Sequence, residues 1–473
     1  MTAVADPTEE AAHASLPREL TLRDMVLFNI VAVVSLRWFS TAAAAGPSSI
    51  TLWILAALLF FVPQGLAVSD LSARFPEEGG IYSWTKRAFG EGHGFMCGWC
   101  YWVNNILYYP NLLIATAVVG TYMIGHGESG LADDWAYVLP VTLGALWLAV
   151  GLNIVGLRTG RWLQNLGAIG TYIPGILLIG LGVHAALTRP PATPMNMATL
   201  IPNMADLSEL NLWASIAFAF AGLELCAVMG GEVRDPRRTL PRSIYISAPF
   251  IAFLYIAGTA AVLWLIPTGD VKIVSGFLQA TTVGAREIGW GLAWLAPVAA
   301  GLYVLGNIGG VGAWLAGPAR VAFVIGLDRY FPPAFGRVHP RWKTPYVAIL
   351  TQAVLATFFL FFSVLGRGTT VEKAYLVILD TMLLVYFIPY IYLFTCYLVV
   401  RLKESPVDGA TPRSRLSAVL IGGSGLALTL FAMVIATVPP GDTAEPWLFR
   451  LKVIGGAGFF VVLGGLIYWR GRR

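Results

Sequence analysis

Two charged residues lie in the middle of long apolar stretches, where water cannot solvate their charges. Arg37 interrupts the first stretch, and Glu224 follows Gly222 inside a later one at residues 210–231. An ion in such a setting is costly and normally faces a protein or water-filled interior. A glycine beside Glu224 loosens the helix at the same depth, so backbone groups become available for binding. These residue types predict a polar site inside an apolar molecule.

The elements that hold these residues are predicted to be membrane-spanning helices. The chain has 473 residues, of which 57% are hydrophobic and 12% are charged, whereas a soluble domain has about 25% charged residues. Apolar runs of about 20 residues recur along nearly the whole length and indicate a polytopic membrane protein. The predicted spans are twelve, with approximate limits 24–46, 50–71, 94–124, 135–155, 162–187, 210–231, 243–266, 291–326, 346–365, 373–400, 415–437 and 450–469.

The basic residues are distributed unevenly between the two sets of loops. Loops such as 234–242 and 329–343 are rich in arginine, whereas the alternate loops balance their basic residues with Asp and Glu. This bias predicts a multi-pass protein of the plasma membrane with both termini in the cytoplasm. The polar residues 1–21 are not a cleavable signal, so the first span targets the chain to the lipid bilayer. The basic clusters lack base-reading aromatic residues, so no nucleic-acid partner is expected.

Spans 1 and 6 are the first members of two five-span sets, which must point in opposite directions because each set has an odd number of spans. Between Val31 and Thr41, β-branched residues, a hydroxyl and Arg37 interrupt span 1 near its middle. Two interrupted helices at corresponding places in inverted halves are typical of a transporter binding site. The predicted organisation is a tail (1–21), a first five-helix repeat (22–188), an outer loop (189–208), an inverted second repeat (209–401), and two helices with a short tail (402–473).

Breaks of this kind have chemistry that suits a zwitterion. The N–H groups that begin one half-helix favour a carboxylate, and the free carbonyls that end the other accept from an ammonium group. The interpretation of Arg37 is open between a substrate or gate contact and a fixed ion pair or a group that reaches the outer vestibule. Glu224 could bind a cation, carry a proton or brace the break, and we favour a brace or proton-linked gating over substrate contact.

Enzymatic and metal sites are not indicated. Ser424 lies in a Gly-Gly-Ser-Gly segment, but the last histidine, His339, lies in a loop, so no later span supplies a base. The Cys97-x-x-Cys100 pair has no βαβ context and is interpreted as two buried small residues. The sequence predicts no cofactor and no metal. Span 8 has no Ser or Thr, which weakens the case for sodium coupling.

Several motifs resemble the amino acid–polyamine–organocation superfamily of permeases over about residues 20–400. The segments that carry the resemblance are Phe218–Glu224, similar to F-x-G-x-E; Glu232–Arg242, similar to E-x-x-N-P-x4-P-R; Pro76–Trp84; and Asp328–Phe335. Gly309 to Arg320 in span 8 most resembles the bacterial glutamate/γ-aminobutyrate antiporter branch. The resemblance implies an all-α membrane protein with the LeuT-like five-plus-five inverted repeat, broken spans 1 and 6, and two C-terminal helices.

The resemblance also implies site residues, position by position. The implied carboxylate contacts are Val33, Val34 and Ser35; the implied amine contacts are the carbonyls of Phe218, Ala219 and Ala221, with Phe218 also as an aromatic lid; Asn105 and Tyr108 line the side-chain pocket; and Arg37, Gly222 and Glu224 complete the set. Thr171 stands where some members have a lysine in place of the sodium ion, so exchange and proton symport both stay open.

The sequence therefore predicts an amino acid transmembrane transporter that works by alternating access. The predicted partners are a small amino acid or related amine, the lipid bilayer and, if the transport is proton-coupled, protons. The protein is expected to be a monomer or a homodimer and not an enzyme. The alternatives are an amino acid sensor of transporter fold and, more weakly, an intramembrane hydrolase that uses Ser424.

Overall fold

The computed structural model describes most of the chain. It covers residues 18–471 except 128, 156, 204–206, 290, 365–370, 404–413 and 440–445, and it leaves out the side chains of 157–161, 207–212, 362–364 and 371–380. Residues 1–17 of the predicted N-terminal tail therefore lie outside the described residues. Within the described part the regular structure is helical, and the only β pairing there is a single parallel bridge between Leu20 and Val233.

The helices follow the predicted order of apolar stretches. They are α1 (Leu22–Val33), α2 (Arg37–Ala44), α3 (Ser48–Arg74, with a π-helical turn at Ala57–Phe61), α4 (Ile81–Phe89), α5 (Glu91–Met123), α6 (Trp135–Ile154), α7 (Leu157–Thr188), α8 (Met197–Leu200), α9 (Leu207–Ala219), α10 (Leu225–Val228), α11 (Pro236–Leu265), α12 (Gly276–Ile288), α13 (Leu295–Leu327), α14 (Tyr346–Val364), α15 (Val371–Lys403), α16 (Arg415–Ile435) and α17 (Pro446–Gly471).

Ten helical stretches in the described residues are long and apolar enough to cross a membrane. The first of them, Leu22–Ala44, joins α1 and α2 across a short break. Predicted span 9 corresponds to the shorter apolar helix α14, and predicted span 6 corresponds to α9 and α10. The prediction of an all-helical membrane protein is confirmed, and the total of twelve spans stays a prediction.

The first predicted span is interrupted at Val34–Leu36. The helix α1 ends because Val34 is extended, with φ −75° and ψ 121°, and its N–H closes the helix on the Ile30 carbonyl at 2.8 Å. The β-branched pair Val33-Val34 followed by Ser35 favours an extended backbone over a continued helix. The chain resumes helical geometry at Arg37, so the break lies beside the charged residue that the sequence singles out.

The sixth predicted span is interrupted between Ala219 and Leu225. Gly222 sits at φ +130°, a conformation that only glycine adopts without strain. An added Cβ there would lie 3.2 Å from Trp314 and 3.2 Å from Val33. The break therefore needs glycine for its backbone angle and for its close approach to α1 and α13.

A rigid crossing of α7 and α13 supports the site from one side. A Cβ added at Gly167 would lie 2.6 Å from the Cα of Gly309, and one added at Gly170 would lie 2.3 Å from the Leu302 carbonyl. The two backbones are therefore in direct contact, and this contact fixes where α13 presents Trp314 and Arg320.

At one end of the molecule, a turn and the N-terminal segment pack against the end of α10. We call this end the basic face, because it carries the arginine-rich loops 234–242 and 329–343. The turn at residues 76–80 packs on the end of α10, where the Gly79 N–H approaches the Val228 carbonyl at 3.4 Å. The N-terminal segment is tied to the same place, since Leu20 donates to the Glu232 carbonyl at 3.0 Å and accepts from the Arg234 N–H at 2.9 Å.

Candidate functional site

A small internal cavity lies where the two helix breaks meet. Its volume is about 20 Å³. About one water molecule fits that volume, so the cavity is nearly closed in this conformation. Its walls are Ala32, Val33, Trp38, Asn104, Tyr108, Phe218, Ala219, Ala221, Trp314 and Tyr386.

Aromatic residues make up half of the cavity lining, and their rings contact one another in edge-to-face or tilted arrangements. The Trp38 and Phe218 rings, one from each broken span, lie 6.0 Å apart between centroids. Phe218 also meets Tyr386 at 5.4 Å, and Trp314 meets Tyr108 at 5.4 Å. Because the cavity has room for about one water molecule, a larger substrate must displace at least one of these rings.

Tyr255 of α11 joins the two breaks through a single buried hydroxyl. Its oxygen lies 2.6 Å from the Val33 carbonyl and 3.0 Å from the Ala219 carbonyl, and it accepts from the Ser35 N–H at 3.2 Å. The ring is stacked on Trp53 at 4.5 Å. The hydroxyl therefore binds backbone groups that have no partner within a helix, because both spans are interrupted there. One of these groups is the N–H of Ser35, a predicted carboxylate contact.

Glu224 lies behind the cavity wall in a nest of donors. Its carboxylate accepts from the Tyr386 hydroxyl at 2.5 Å, the Tyr390 hydroxyl at 2.5 Å and the Tyr101 hydroxyl at 3.2 Å. The Gln64 amide at 2.9 Å and the Gly222 N–H at 3.2 Å complete the set. A fully buried carboxyl group with this many donors is held in one position, and its link to the cavity runs through Tyr386.

Arg37 also lies one layer behind the wall. The side chain is fully buried, and its Nη1 donates to Asn111 Oδ1 at 2.5 Å. Its guanidinium lies 5.0 Å from the Trp38 ring and 5.9 Å from the Tyr108 ring. Arg37 therefore does not line the cavity. The Trp38 and Tyr108 rings, which do line it, lie between the guanidinium and the cavity.

Comparison with known proteins identifies the family of this chain. The family model described as amino acid permease matches residues 20–459. The chain belongs to this family of amino acid permeases. The suspected place in the amino acid–polyamine–organocation superfamily, near its antiporter branch, is confirmed by the match and by antiporters among the relatives.

Three curated relatives cover most of the permease. An uncharacterized transporter of Legionella pneumophila is 30% identical over 449 residues, 94% of this chain and 95% of its own. A probable agmatine/putrescine antiporter of Lactococcus lactis is 26% identical over 437 residues, 90% of each chain. A glutamate/gamma-aminobutyrate antiporter of Lactococcus lactis is 25% identical over 400 residues, 83% of this chain and 78% of its own.

The permease brings most of the sequence-predicted site residues to one place. Val33, Tyr108, Phe218, Ala219 and Ala221 line the cavity. The other predicted residues, except Asn105, stand in a second layer. Val34 ends α1, Ser35 is held by Tyr255, Gly222 forms the turn, and Arg37 and Glu224 flank the wall.

Asn104, rather than the predicted Asn105, lines the cavity of the permease. Asn105 points elsewhere and donates to the Tyr101 carbonyl of its own helix at 2.7 Å. Asn104 is 1% exposed, and its Oδ1 has no hydrogen-bond partner among the described residues. A buried amide oxygen without a donor suits a ligand that brings one.

Three further aromatic residues of the wall were not among the predicted set. They are Trp38, Trp314 and Tyr386. Trp314 is fixed by its Nε1, which donates to the Ala32 carbonyl at 2.8 Å. A large aromatic residue with a polar atom in an apolar span is the signal that marks such positions, since the polar atom must find a partner. Among the described residues no group of three His, Cys, Asp or Glu side chains is placed to hold a metal ion.

Proposed function

We propose that this permease carries a small amino acid or related amine by alternating access, with the cavity between the two breaks as its central site. The observation that supports this most is the meeting of both breaks at one aromatic-walled cavity. Interrupted helices at the middle of a membrane protein are where transporters bind solutes. The Leu22–Ala44 and α9–α10 segments would then be the first helices of two inverted five-helix repeats.

The surroundings of the cavity support a substrate that has both an amine and an acidic or neutral end. An amine would donate to the Asn104 amide oxygen and would meet the negative faces of the rings. A carboxylate would point toward the start of α2, where the helix dipole and the Arg37 charge both favour an anion. Glu224 serves as the brace that holds Tyr386 and Tyr390 in position, since its oxygens are already occupied.

The cytoplasmic side is proposed to be the basic face, with both termini on it. Arginine-rich loops favour the cytoplasm, and the 76–80 turn packs on the end of α10 at that face. Exchange of one substrate for another is the proposed mode, because two of the relatives are named as antiporters.

Counterflow in liposomes tests this proposal. Purified protein is reconstituted, loaded in turn with glutamate, γ-aminobutyrate, agmatine, putrescine or a neutral amino acid, and supplied with the labelled compound outside. We expect uptake of at least one compound against its gradient, which protein-free liposomes do not show. Uptake that requires an imposed pH gradient would replace exchange with proton symport. Binding without uptake of any compound would contradict transport and leave a sensor.

Phe218→Ala is the matched site variant for this assay, and Phe361→Ala is its control. Phe218 is 6% exposed and forms the wall, whereas Phe361 is 46% exposed on the apolar exterior. Losing the wall ring should lower uptake by about tenfold, since a ring contact of about 1.4 kcal/mol corresponds to that factor. Equal uptake by the two variants would remove Phe218 from the site.

A further inference from the structure

A buried ionic cluster lies on the basic face, outside the substrate site. It consists of Glu78 from the turn after α3, Glu232 from the segment after α10, and Arg320 from α13. Their exposed fractions are 4%, 0% and 4%. Arg320 binds Glu232 in a forked arrangement, with Nη2 at 2.6 Å and 3.0 Å from the two carboxylate oxygens and Nε at 2.8 Å from Oε1.

Glu78 is the member of this cluster whose contact with Arg320 is not a hydrogen bond. Its Oε1 lies 3.7 Å from the Arg320 Nε, too far for a hydrogen bond, and has no hydrogen-bond partner among the described residues. Arg320 directs its Nη1 instead to the Ala316 carbonyl at 2.6 Å. Two buried carboxylates thus share one guanidinium, and a buried carboxylate with an oxygen that lacks a donor is costly unless it takes up a proton.

Burial and the neighbouring Glu232 raise the pKa of Glu78 from 4.5 to about 8, and Arg320 offsets only part of this rise. Burial likewise raises the pKa of Glu232, against the opposing effect of Arg320. The other charged groups near the cluster are Glu19, which faces Glu232; Arg87, paired with Glu77; and Lys86, paired with Asp328. The last two cations are engaged with other carboxylates, so neither one neutralises Glu78.

The position of the cluster connects it with access to the cavity. Glu78 belongs to the turn that packs on α10, and a Cβ added at Gly230 would lie 2.5 Å from the Pro76 carbonyl. Glu232 follows α10 directly, so the turn and the broken sixth span meet through this cluster. A substrate that leaves through the basic face requires these segments to separate, and their separation would hydrate Glu78.

We propose that Glu78 is a proton-binding site that is filled while the basic face is closed and is emptied to solvent when that face opens. The proposal rests on the alternating access described under the proposed function, and it adds a proton to that cycle. The closed state holds a neutral Glu78 beside the Glu232–Arg320 pair. In the open state Glu78 meets water, ionises, and releases its proton to the solution on the basic face.

The sign of the pH dependence follows from the two states. Because the pKa of Glu78 is higher in the closed state, protonation favours closure at low pH, and the advantage is lost as the pH rises through about 8. With an ordinary value of 4.5 in the open state, the ratio of open to closed molecules rises about 50-fold between about pH 6 and about pH 8. Above that range the ratio changes little.

An infrared titration of the full-length protein tests the binding site without using transport. The wild type and Asp133→Asn, which removes an exposed carboxylate in the loop before α6, should both lose the signal of a protonated carboxyl group between about pH 7 and about pH 9. Glu78→Gln should lack this change, because glutamine cannot titrate. The site is overturned if the wild type shows no such change or if Glu78→Gln retains it.

Alkylation of Cys226 tests the link to opening. Cys226 is fully buried in α10, and a form with the other three cysteines replaced by alanine makes it the only reporter thiol. The alkylation rate of this single-cysteine form divided by that of its Glu78→Gln variant cancels the intrinsic effect of pH on the thiol. This ratio should rise by up to about 50-fold between about pH 6 and about pH 8, and a constant ratio overturns the link. A lack of counterflow with a normal titration and ratio would count against the transport proposal alone.

Discussion

Replacing Tyr255 by phenylalanine removes the hydroxyl group that is hydrogen-bonded to both helix breaks. The ring stays packed, because its stacking on Trp53 at 4.5 Å and its edge contacts with Phe39 and Phe220 do not involve the hydroxyl. The change therefore isolates the hydrogen bonds from the apolar packing. It acts on a residue that is fully buried, so the groups it leaves behind cannot turn to bulk water.

The magnitude follows from the number of groups that lose a partner. A hydroxyl donates one proton at a time, so it satisfies one of the two carbonyls, Val33 or Ala219, together with the Ser35 N–H. A buried polar group left without a partner costs about 1–3 kcal/mol. Tyr255→Phe should therefore lower the free energy of unfolding by about 2–6 kcal/mol. The breaks should also lose their fixed spacing, so the substrate KM in counterflow should rise.

Tyr303→Phe is the matched control for this measurement. Tyr303 is 1% exposed, and its hydroxyl has no hydrogen-bond partner among the described residues, while its ring packs on Phe277 at 4.9 Å. Removing that hydroxyl should leave the protein equally stable or more stable by up to about 1 kcal/mol. Unfolding by SDS in mixed micelles compares the two variants. Equal unfolding of Tyr255→Phe and Tyr303→Phe would refute the argument that Tyr255 ties the breaks together.

Two other variants test the sixth span. Gly222→Ala should destabilise the protein by about 1–3 kcal/mol in SDS unfolding, because φ +130° strains any side chain. Gly423→Ala is its control, since an added Cβ there meets nothing within 4 Å. Equal stability of the two variants would contradict the backbone strain at Gly222. Glu224→Gln should slow counterflow while the protein stays monodisperse, since its amide presents a donor to groups that already donate. Unaltered counterflow by Glu224→Gln would show that the brace is not needed.

The sequence was sufficient for the elements and for the places where two of them break. Long apolar runs predicted the helices, and the glycine beside a buried carboxylate predicted the interruption at Gly222. Both signals are local. A carboxylate in an apolar helix and a glycine at mid-depth cost free energy whatever the rest of the chain does. Phe218 lies on the same short stretch, and its place at the site is a prediction from the family resemblance of its motif.

The choice between Asn104 and Asn105 could not be made from the sequence. Both residues can share a helical face with Tyr108, at spacings of four and three residues. The side that meets the cavity is set by how α5 packs against α13 and α15, which are distant in the chain. Tyr255 was missed for a related reason, since its partners at Val33 and Ala219 are 222 and 36 residues away. A buried tyrosine hydroxyl predicts that a partner exists but not where it is.

The backbone contact between α7 and α13 has a consequence for how this protein tolerates change. At Gly167, Gly170 and Gly309 even a methyl group would overlap main-chain atoms of the facing helix, which no rotamer can relieve. Saturation libraries should therefore recover only glycine at these three positions, although none of them lines the cavity. Helices that touch in this way cannot slide past each other without separating, so this pair forms a fixed wall against which the remaining helices must move.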